Sequence, residues 1–270
     1  MNTEKVAILG CAKNCANYIQ QSINNMINIG NMFQDYKIII FENDSKDNTS
    51  TLLNKLTQQN SKIKLITEKY IARQYPYRTW CIAYGRQRCS DYLRNSGFEP
   101  DYVIVMDLDD VGARGNGTNA ISKMMNKKEH WDAAFPRPTY DLWALRFPNH
   151  TINYIESSKI LQRMYINKPL KELTRELRLF KKYKRELEDY SNNPNNYDKN
   201  QLLNVYSSFN GIAIYKYKFF KKGTYSGKNI YFSSITDPKN RELEECEHVN
   251  FHHSIRPFAR LKIVYDAFFC

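Results

Sequence analysis

The stretch YVIVMDLDDVGARG, Tyr102–Gly115, joins an apolar run directly to three carboxylates. Its first five residues are mostly apolar and predict a buried strand, which Asp107, Asp109 and Asp110 follow at once. Asp and Gly are ordinary turn residues, so a plain turn accounts for the acids on local grounds. The alternative is a divalent-metal site. Asp107 and Asp109 point the same way in an extended chain, and Mg²⁺ or Mn²⁺ accepts such carboxylates together with substrate phosphate oxygens.

The first half of the chain alternates between strand-length apolar runs and helical repeats. Three further strands are predicted at Lys5–Gly10, Tyr36–Phe41 and Lys62–Ile66, with helical spacing of apolar residues between them. This rhythm predicts βαβ units and an α/β fold with a mostly parallel sheet flanked by helices. Sheets of this kind bind ligands at the carboxyl ends of their strands. Those ends are Gly10–Asn14, Glu42–Asp47 and Asp107–Asp110.

The second half of the chain is less regular, and the change near residue 150 predicts a lobe boundary more than a second domain. An amphipathic helix is predicted at about residues 168–189, and a solvated surface helix is preferred over a membrane-surface helix. Its apolar stripe consists of Leu170, Leu173, Leu177, Phe180 and Leu187. The run SFNGIAIYKYKFF, residues 208–220, predicts a strand that leads outward.

The composition is that of a globular protein with an excess of basic residues. The 270 residues include 40 Lys and Arg against 28 Asp and Glu, a net charge of +12 that favours anionic partners such as phosphates or nucleic acid. The basic helix is partly neutralised by Glu172, Glu176, Glu186 and Glu188, which argues against nucleic-acid binding. The spacing of the six cysteines fits no zinc template. With no visible signal peptide or run of roughly 18 apolar residues, we expect a soluble, cytoplasmic protein.

Two stretches carry a family resemblance. FENDSKDNTSTLL, Phe41–Leu53, resembles the hydrophobic-D-D-G-S-x-D-x-T turn of GT-A glycosyltransferases, with Asn43-Asp44 where many members have Asp-Gly. YVIVMDLDD resembles their metal-binding D-x-D strand. The order of GRQRCSDYL, the acidic strand and AAFPRPTYDLWALR is similar to the fungal capsule-associated, mannosyltransferase-like branch, where Asn replaces Gln87. The resemblance covers roughly Val6–Arg146.

The resemblance implies a GT-A (Rossmann-like) fold with a C-terminal acceptor-side lobe. Residues 1–150 would form the nucleotide-sugar-binding half of a single domain, and residues 151–270 the acceptor-side half. The donor would be a nucleotide-diphosphate sugar, the cofactor Mn²⁺ or Mg²⁺, and the acceptor a hydroxyl of a glycan, lipid or protein. Asp109 would ligate the metal directly and Asp107 would contact the metal or the ribose. The implied donor-side residues are Gly10, Ala12, Lys13, Asn14, Glu42, Asp44, Arg86 and Asp107.

The acceptor side needs a base if the transfer inverts the sugar, because a carboxylate must then deprotonate the acceptor hydroxyl. A retaining enzyme has no such requirement. Glu247-His248 resembles the Glu-Asp pair that opens a helix in related inverting enzymes, and the base stays open among Glu245, Glu247 and His248. His252 is a candidate third metal ligand, with a packing role as its alternative. Three aromatic residues are candidates to stack on a sugar ring or to lie in the core: Trp143, Tyr140 and Tyr225.

Two other function classes compete with a glycosyltransferase. A nucleotidyltransferase is also an α/β enzyme with strand-end carboxylates, but it would favour a Gly-rich phosphate loop, and GCAKNC has a Lys and only one Gly. A basic nucleic-acid-binding protein would cluster its positive charge on one face. A salt-dependent affinity for DNA or RNA would distinguish this class from a nucleotide-sugar enzyme.

Overall fold

The computed structural model describes residues 3–139, 141–148, 174–228 and 244–270. Its first part alternates strands and helices as the sequence predicts. The strands are β1 (Lys5–Ala12), β2 (Asp35–Asn43), β3 (Ile63–Glu68) and β4 (Tyr102–Met106). The helices between them are α1 (Ala16–Gly30), α2 (Thr49–Gln59), the short α3 (Ile71–Gln74) and α4 (Arg78–Asn95).

The chain after β4 adds the rest of the sheet and its covering helices. Two helices follow the acidic loop, α5 (Asp110–Arg114) and α6 (Gly117–Met125), and a 3₁₀ turn (Lys128–His130) precedes β5 (Ala133–Pro136). The later elements are α7 (Thr174–Asn192), a 3₁₀ turn (Pro194–Asn196), β6 (Leu202–Asn204), β7 (Ile212–Lys216), α8 (Tyr217–Phe220), α9 (Glu247–Ile255) and β8 (Leu261–Val264).

In the described residues, eight strands form one sheet in the order β3-β2-β1-β4-β7-β5-β8-β6. The β3-β2-β1-β4 part is parallel throughout, β7 is antiparallel to both β4 and β5, and β5 is parallel to β8. The predicted α/β fold with a mostly parallel sheet is confirmed. The carboxyl ends of β1, β2 and β4 consequently meet at one edge of the sheet.

Alternation along each central strand supplies a core on each face of the sheet. Ile8 and Ile38 pack on the face covered by α1 and α2, whereas Leu9 and Ile39 pack on the opposite face with α4. All four side chains are buried. Strands buried on both faces read as continuous apolar runs, which is why β1, β2 and β4 could be recognised in the sequence.

One predicted strand lies in a different place from the one expected. The run at residues 208–220 was expected to lead outward, but β7 lies in the centre of the sheet between β4 and β5, and α8 follows it. Four of the five β7 residues are buried, and Lys216 is partly exposed. Strands from both halves of the chain therefore share one sheet.

The amphipathic helix is present as α7, while residues 168–173 of the predicted span lie outside the described residues. Its Leu187 is buried in the core, and Lys181, Lys184 and Arg185 are exposed. No helix in the described part of the chain is both long and apolar enough to cross a lipid bilayer.

Candidate active site

The loops after β1 and β2 are held together by side-chain to backbone hydrogen bonds. Asn14 has a positive φ of 52°, its Oδ1 accepts from the Lys46 N–H at 2.7 Å, and its own N–H donates to Ser45 Oγ at 3.0 Å. Ala12 is buried, and Lys13 is exposed at the rim. The first predicted nucleotide loop is thus a fixed feature of the sheet edge.

Gly10 gives β1 its close packing against the acidic loop. A Cβ at this position would stand 2.9 Å from Leu108 Cγ and from Met26 Cε. Such contacts are shorter than real Cβ contacts, so a larger residue would push the acidic loop outward. Gly10 therefore serves to seat the loop that carries the acids.

The β2 end carries two acids with different surroundings. Glu42 is only 2% exposed, and its Oε1 accepts from the Ser45 N–H at 3.1 Å. Asp44 accepts from the backbone N–H groups of Tyr70 and Ala72, the latter at 3.0 Å. Asp44 therefore holds the loop between β3 and α3, and a nucleotide contact would compete with these bonds.

Arg86 lies in the middle of α4 and contacts two carboxylates. Its Nη2 donates to Asp107 Oδ1 at 3.1 Å, and its Nε donates to Glu247 Oε1 at 3.0 Å. The side chain is 7% exposed, and its guanidinium lies 5.2 Å from the centre of the Phe209 ring. Arg86 was implied as a donor-side residue, and two of its nitrogens are engaged by these acids.

The acids after β4 differ in burial. The Asp107 side chain is 24% exposed, and burial raises its pKa to about 6, with the Arg86 cation opposing this and the Asp109 and Glu247 charges adding to it. Asp109 is exposed and caps α5, where its Oδ1 accepts from the Val111 N–H at 3.1 Å. The two acids thus share one loop but present one half-buried and one solvent-facing carboxylate.

The backbone of the acidic loop is held by hydrogen bonds from α1 and from the residue before β7. Ser22 Oγ donates to the Leu108 carbonyl at 3.2 Å, and the Asp107 N–H donates to the Gly211 carbonyl at 2.9 Å. A Cβ at Gly112 would stand 1.9 Å from the Asp107 carbonyl oxygen. The position of the acids therefore depends on a glycine in α5.

The three predicted base candidates lie in or just before α9, and all are buried. Glu245 is 0% exposed, and its Oε1 pairs with Arg146 Nη2 at 3.2 Å. Glu247 pairs with Arg86. His248 stacks on Phe209 with ring centroids 3.7 Å apart, and burial together with the Arg86 charge lowers its pKa well below the usual range. Glu247 is linked to Asp107 through Arg86, whose guanidinium donates to both carboxylates.

Asp141 was not selected from the sequence, although its Tyr-Asp-x-Trp stretch was. It is partly exposed, and its Oδ1 accepts from the Ala144 N–H at 3.4 Å. Burial, together with the negative charges of Asp107 and Glu247, raises its pKa to about 7, and the Ala144 N–H and the Arg86 cation oppose this rise. No local signal marked this residue, because its neighbours come from β4, α4 and α9.

The comparisons with known proteins agree with this architecture. The sequence profile of glycosyl transferase family 2 matches residues 8–209. The chain belongs to this family. The predicted GT-A fold is confirmed, and the prediction of a glycosyltransferase is confirmed at the level of the family. A search of curated protein sequences found no match.

Two solved structures are among those similar to this chain. The S. aureus TarS crystal structure has a TM-score of 0.52 and 12% identity, covering 98% of this chain and 36% of TarS. Glucosyl-3-phosphoglycerate synthase from Mycobacterium tuberculosis, in complex with Mn²⁺, UDP and glucosyl-3-phosphoglycerate, has a TM-score of 0.41 and 9% identity, covering 81% of this chain and 59% of that one. The TarS likeness shows the fold, and this chain spans about a third of that protein's length.

The predicted metal ligands in the described residues are two carboxylates, and no third ligand lies beside them. Asp109 Oδ2 makes no hydrogen bond or ion pair within the described residues, and one or two carboxylates with phosphate oxygens satisfy Mg²⁺ or Mn²⁺. In the same part of the chain, no group of three His, Cys, Asp or Glu side chains is arranged to hold a metal. Asp107 and Asp109 stay the predicted pair of metal ligands, and the described residues supply no third one.

His252 is placed away from a ligand role. It is 0% exposed, its Nδ1 lies 2.8 Å from Ser207 Oγ, and its Nε2 lies 2.8 Å from Tyr215 Oη. Both ring nitrogens are thus occupied by protein, and binding a metal would break one of these bonds. We leave His252 out of the metal site.

The aromatic residues predicted to stack on a sugar ring differ in burial. Tyr225 is buried and stacks on Phe251 with ring centroids 4.2 Å apart, which is a core position. Trp143 is partly exposed, and Tyr140 lies outside the described residues. Tyr225 therefore packs in the core and presents no face to a sugar ring.

Proposed function

We propose that the chain transfers a sugar from a nucleotide-diphosphate sugar to a hydroxyl acceptor, with Mn²⁺ or Mg²⁺ at the diphosphate. The observation that carries this proposal is the single edge formed by the ends of β1, β2 and β4. Parallel pairing aligns these ends, and the Asn14–Lys46 bond ties the first two loops together. Family membership supplies the reaction class.

The metal would be held by Asp109 and Asp107 at the end of β4. When bound, the ion would neutralise charge on the departing diphosphate. Asp109 reaches solvent, and Arg86 fixes the orientation of Asp107 through the 3.1 Å contact to Oδ1. Arg86 is consequently a positioning residue in this proposal.

The nucleotide would lie over the β1 and β2 ends. Lys13 is exposed there, and an ammonium on a flexible stem suits a phosphate group. The buried carboxylate of Glu42 would accept a hydrogen bond from the base or the ribose. The backbone at Gly10 to Asn14 would form the floor of this pocket.

The acceptor would approach from the second half of the chain, which contributes α9 and the segment after β5. A glycan, lipid or protein hydroxyl all satisfy the chemistry. The chemistry of transfer to any of them is the same, because one hydroxyl oxygen replaces the diphosphate oxygen on the sugar.

Binding measurements test the proposal directly. We expect a thermal-shift panel of UDP-glucose, UDP-N-acetylglucosamine and GDP-mannose, each with and without Mn²⁺, to show stabilisation by one nucleotide type only when Mn²⁺ is present. A ligand at 100 times its Kd stabilises by about 2.7 kcal/mol, which is roughly 5 °C or more for a chain of this size. The absence of any shift, with no heat of binding for UDP or GDP and Mn²⁺ in titration calorimetry, would refute the proposal.

No observation on the described residues favours nucleic-acid binding or nucleotidyl transfer. On α7, Lys182 pairs with Glu186 at 3.7 Å and Lys184 pairs with Glu188 at 3.6 Å, so part of the basic helix is internally balanced. The segment Gly10–Asn14 has a single glycine, so it is not a Gly-rich phosphate loop. Asn14 bonds this segment to Ser45 and Lys46. Nucleic-acid binding and nucleotidyl transfer are therefore not proposed.

A further inference from the structure

The end of β5 carries an arginine whose guanidinium lies against two aromatic rings. Arg137 directly follows Pro136, the last residue of β5. Its Cζ is 4.1 Å from the centre of the Phe268 ring and 4.8 Å from the centre of the Tyr265 ring. Phe268 is 37% exposed, and Arg137 and Tyr265 are partly exposed. The arginine and its two rings therefore form a small surface that a ligand in solution can reach.

Two hydrogen bonds connect Arg137 to the loop that carries Asp107. Because β4 and β5 are both antiparallel to β7, their carboxyl ends lie at the same edge of the sheet. The Arg137 carbonyl accepts from Asn210 Nδ2 at 3.2 Å. The carbonyl of the next residue, Gly211, accepts from the Asp107 N–H at 2.9 Å. Arg137 consequently lies on the edge at which we propose sugar transfer.

The segment after β8, residues 265–270, holds both rings next to this edge. The Arg137 N–H donates to the Ala267 carbonyl at 2.8 Å, between the two residues that carry the rings. Phe269 is buried, and its carbonyl accepts from the Asn116 N–H at 2.8 Å, just before α6. The segment is thus bonded to the end of β5 and to the chain that follows the acidic loop, which keeps the rings against the guanidinium.

The charge of Arg137 is not used in an ion pair within the part of the chain that the structure describes. In those residues its guanidinium also makes no hydrogen bond. The acids close to the rings in sequence are engaged elsewhere, since Asp266 pairs with Lys127 at 3.0 Å and Asp198 with Lys262 at 3.9 Å. A guanidinium has five N–H donors in a rigid fork that matches carboxylate and phosphate oxygens. The ring contacts restrict its movement and leave these donors for a ligand.

We propose that Arg137 binds a negatively charged group, a phosphate or a carboxylate, on the acceptor of the sugar. This inference rests on the proposed sugar transfer and names the class of its acceptor, a hydroxyl compound that also carries an anionic group. Two parallel N–H donors of Arg137 bind two oxygens of that group. Tyr265 and Phe268 come from the half of the chain that was predicted to be the acceptor side. The net charge of +12 favours anionic partners as well.

Three sugars that share one ring and differ in a single substituent test this proposal. Glucose is neutral, glucose 6-phosphate carries a phosphate and glucuronic acid carries a carboxylate. Their Kd values are measured by thermophoresis on protein saturated with Mn²⁺ and UDP or GDP, whichever the thermal-shift panel identifies, so that the donor site is filled. We expect wild type to bind at least one anionic sugar ten times more tightly than glucose. A preference for glucose 6-phosphate identifies a phosphate, and a preference for glucuronic acid identifies a carboxylate.

Variants connect this preference to the arginine. Arg137→Met should weaken binding of the preferred anionic sugar by about 10- to 100-fold, toward the affinity of glucose, and leave the nucleotide Kd unchanged. Arg137→Lys keeps a charge without the planar fork and should retain part of the affinity. Phe268→Leu removes one ring and should weaken binding by about two- to fivefold.

Arg256→Met is the matched control. The Arg256 guanidinium also lies against an aromatic ring, 4.1 Å from the centre of Tyr206. Tyr206 follows β6 near the start of β8, at the other end of the sheet. This change should leave every Kd unchanged, because the proposed acceptor group does not reach that end.

The remaining outcomes overturn the assignment of Arg137. They are equal binding of all three sugars by wild type, and an anion preference that survives in Arg137→Met. An equal loss of nucleotide affinity in Arg137→Met would place the charge at the donor instead. If the melting temperature shows that Arg137→Met is unfolded, Arg137→Lys and Phe268→Leu decide by the same comparison.

The nucleotide titration separates this inference from the proposed function. Failure to bind UDP or GDP with Mn²⁺ would refute the proposed function and the acceptor assignment together. Nucleotide binding without any preference for anionic sugars would refute the role of Arg137 alone.

Discussion

Arg86 Nε donates to Glu247 Oε1 at 3.0 Å, and this bond joins α4 in the first half of the chain to α9 in the second. The same guanidinium reaches Asp107 at the end of β4. The Arg86 and Glu247 side chains are 7% and 8% exposed. Burying a charge is costly unless it is paired, so the three groups depend on one another.

Replacing Arg86 by Met should destabilise the protein by about 3–5 kcal/mol, because it leaves two acids without their cation. Chemical denaturation measures this directly. Arg88→Met on the same helix is the matched control, since its side chain is 44% exposed and pairs with Glu68 at the surface. That change should cost under about 1 kcal/mol.

The double variant Arg86→Met/Glu247→Gln distinguishes a charge effect from lost packing. If the unpaired acid is the main cost, the double variant should recover at least about 1 kcal/mol relative to Arg86→Met alone. A double variant that is less stable than either single variant would contradict the ion-pair interpretation.

The parts of this site that the sequence predicted are the parts that local patterns encode. Apolar runs located β1, β2 and β4, and the acids directly after β4 are adjacent to its last residue. Pairing across the chain has no such signal. Arg86 and Glu247 are 161 positions apart, and either residue on its own reads as an ordinary helix charge.

The same distinction explains the two differences from expectation. The place of β7 is set by its antiparallel pairing with β4 and β5, and a short run such as IAIYK carries no information about its partners. Asp141 owes its raised pKa first to burial and then to the charges of Asp107 and Glu247, which lie far from it in the sequence. A lone Asp between Thr139 and Trp143 could not be distinguished from a turn residue in the sequence.

Asp109→Asn should weaken the binding of UDP or GDP in the presence of Mn²⁺ by tenfold or more, because an amide oxygen carries no charge for the metal. Titration calorimetry with and without Mn²⁺ separates the metal contribution from the nucleotide contribution. Asp110→Asn is the control in the same loop. Its carboxylate is 44% exposed and lies 3.6 Å from an exposed Arg114. Equal affinities in the Asp109 variant and wild type would remove Asp109 from the metal site.

Gly112→Ala should displace the acidic loop. The added Cβ would stand 1.9 Å from the Asp107 carbonyl oxygen, and overpacking of this kind costs about 1–3 kcal/mol or more. We expect a lower melting temperature together with loss of Mn²⁺-dependent nucleotide binding. Gly97→Ala tests backbone strain without a clash, since Gly97 has a φ of +70° and no atom within 4 Å of the added Cβ. It should cost about 1–2 kcal/mol and leave binding intact.

Buried His252 should make the protein less stable in acid. Burial lowers the pKa of His252 to about 3, whereas the unfolded chain takes up this proton near pH 6.5. Between those values the unfolded state binds more protons, so this stabilisation is complete above pH 6.5 and is lost as the pH falls toward 3. Each pH unit inside the window removes up to about 1.4 kcal/mol.

The His252 contribution is measured as a difference between variants, because other groups titrate in the same range. The raised pKa values of Asp107 and Asp141 act in the opposite direction, since the folded state binds their protons first. Subtracting the His252→Gln denaturation curves from wild type at pH 7.5, 6.5 and 5.5 cancels those terms. The difference should shrink as the pH falls, and His130→Gln serves as the control at an exposed histidine. A pH-independent difference would mean that His252 takes up its proton in the folded state, which its bonds to Ser207 and Tyr215 would then have to accommodate.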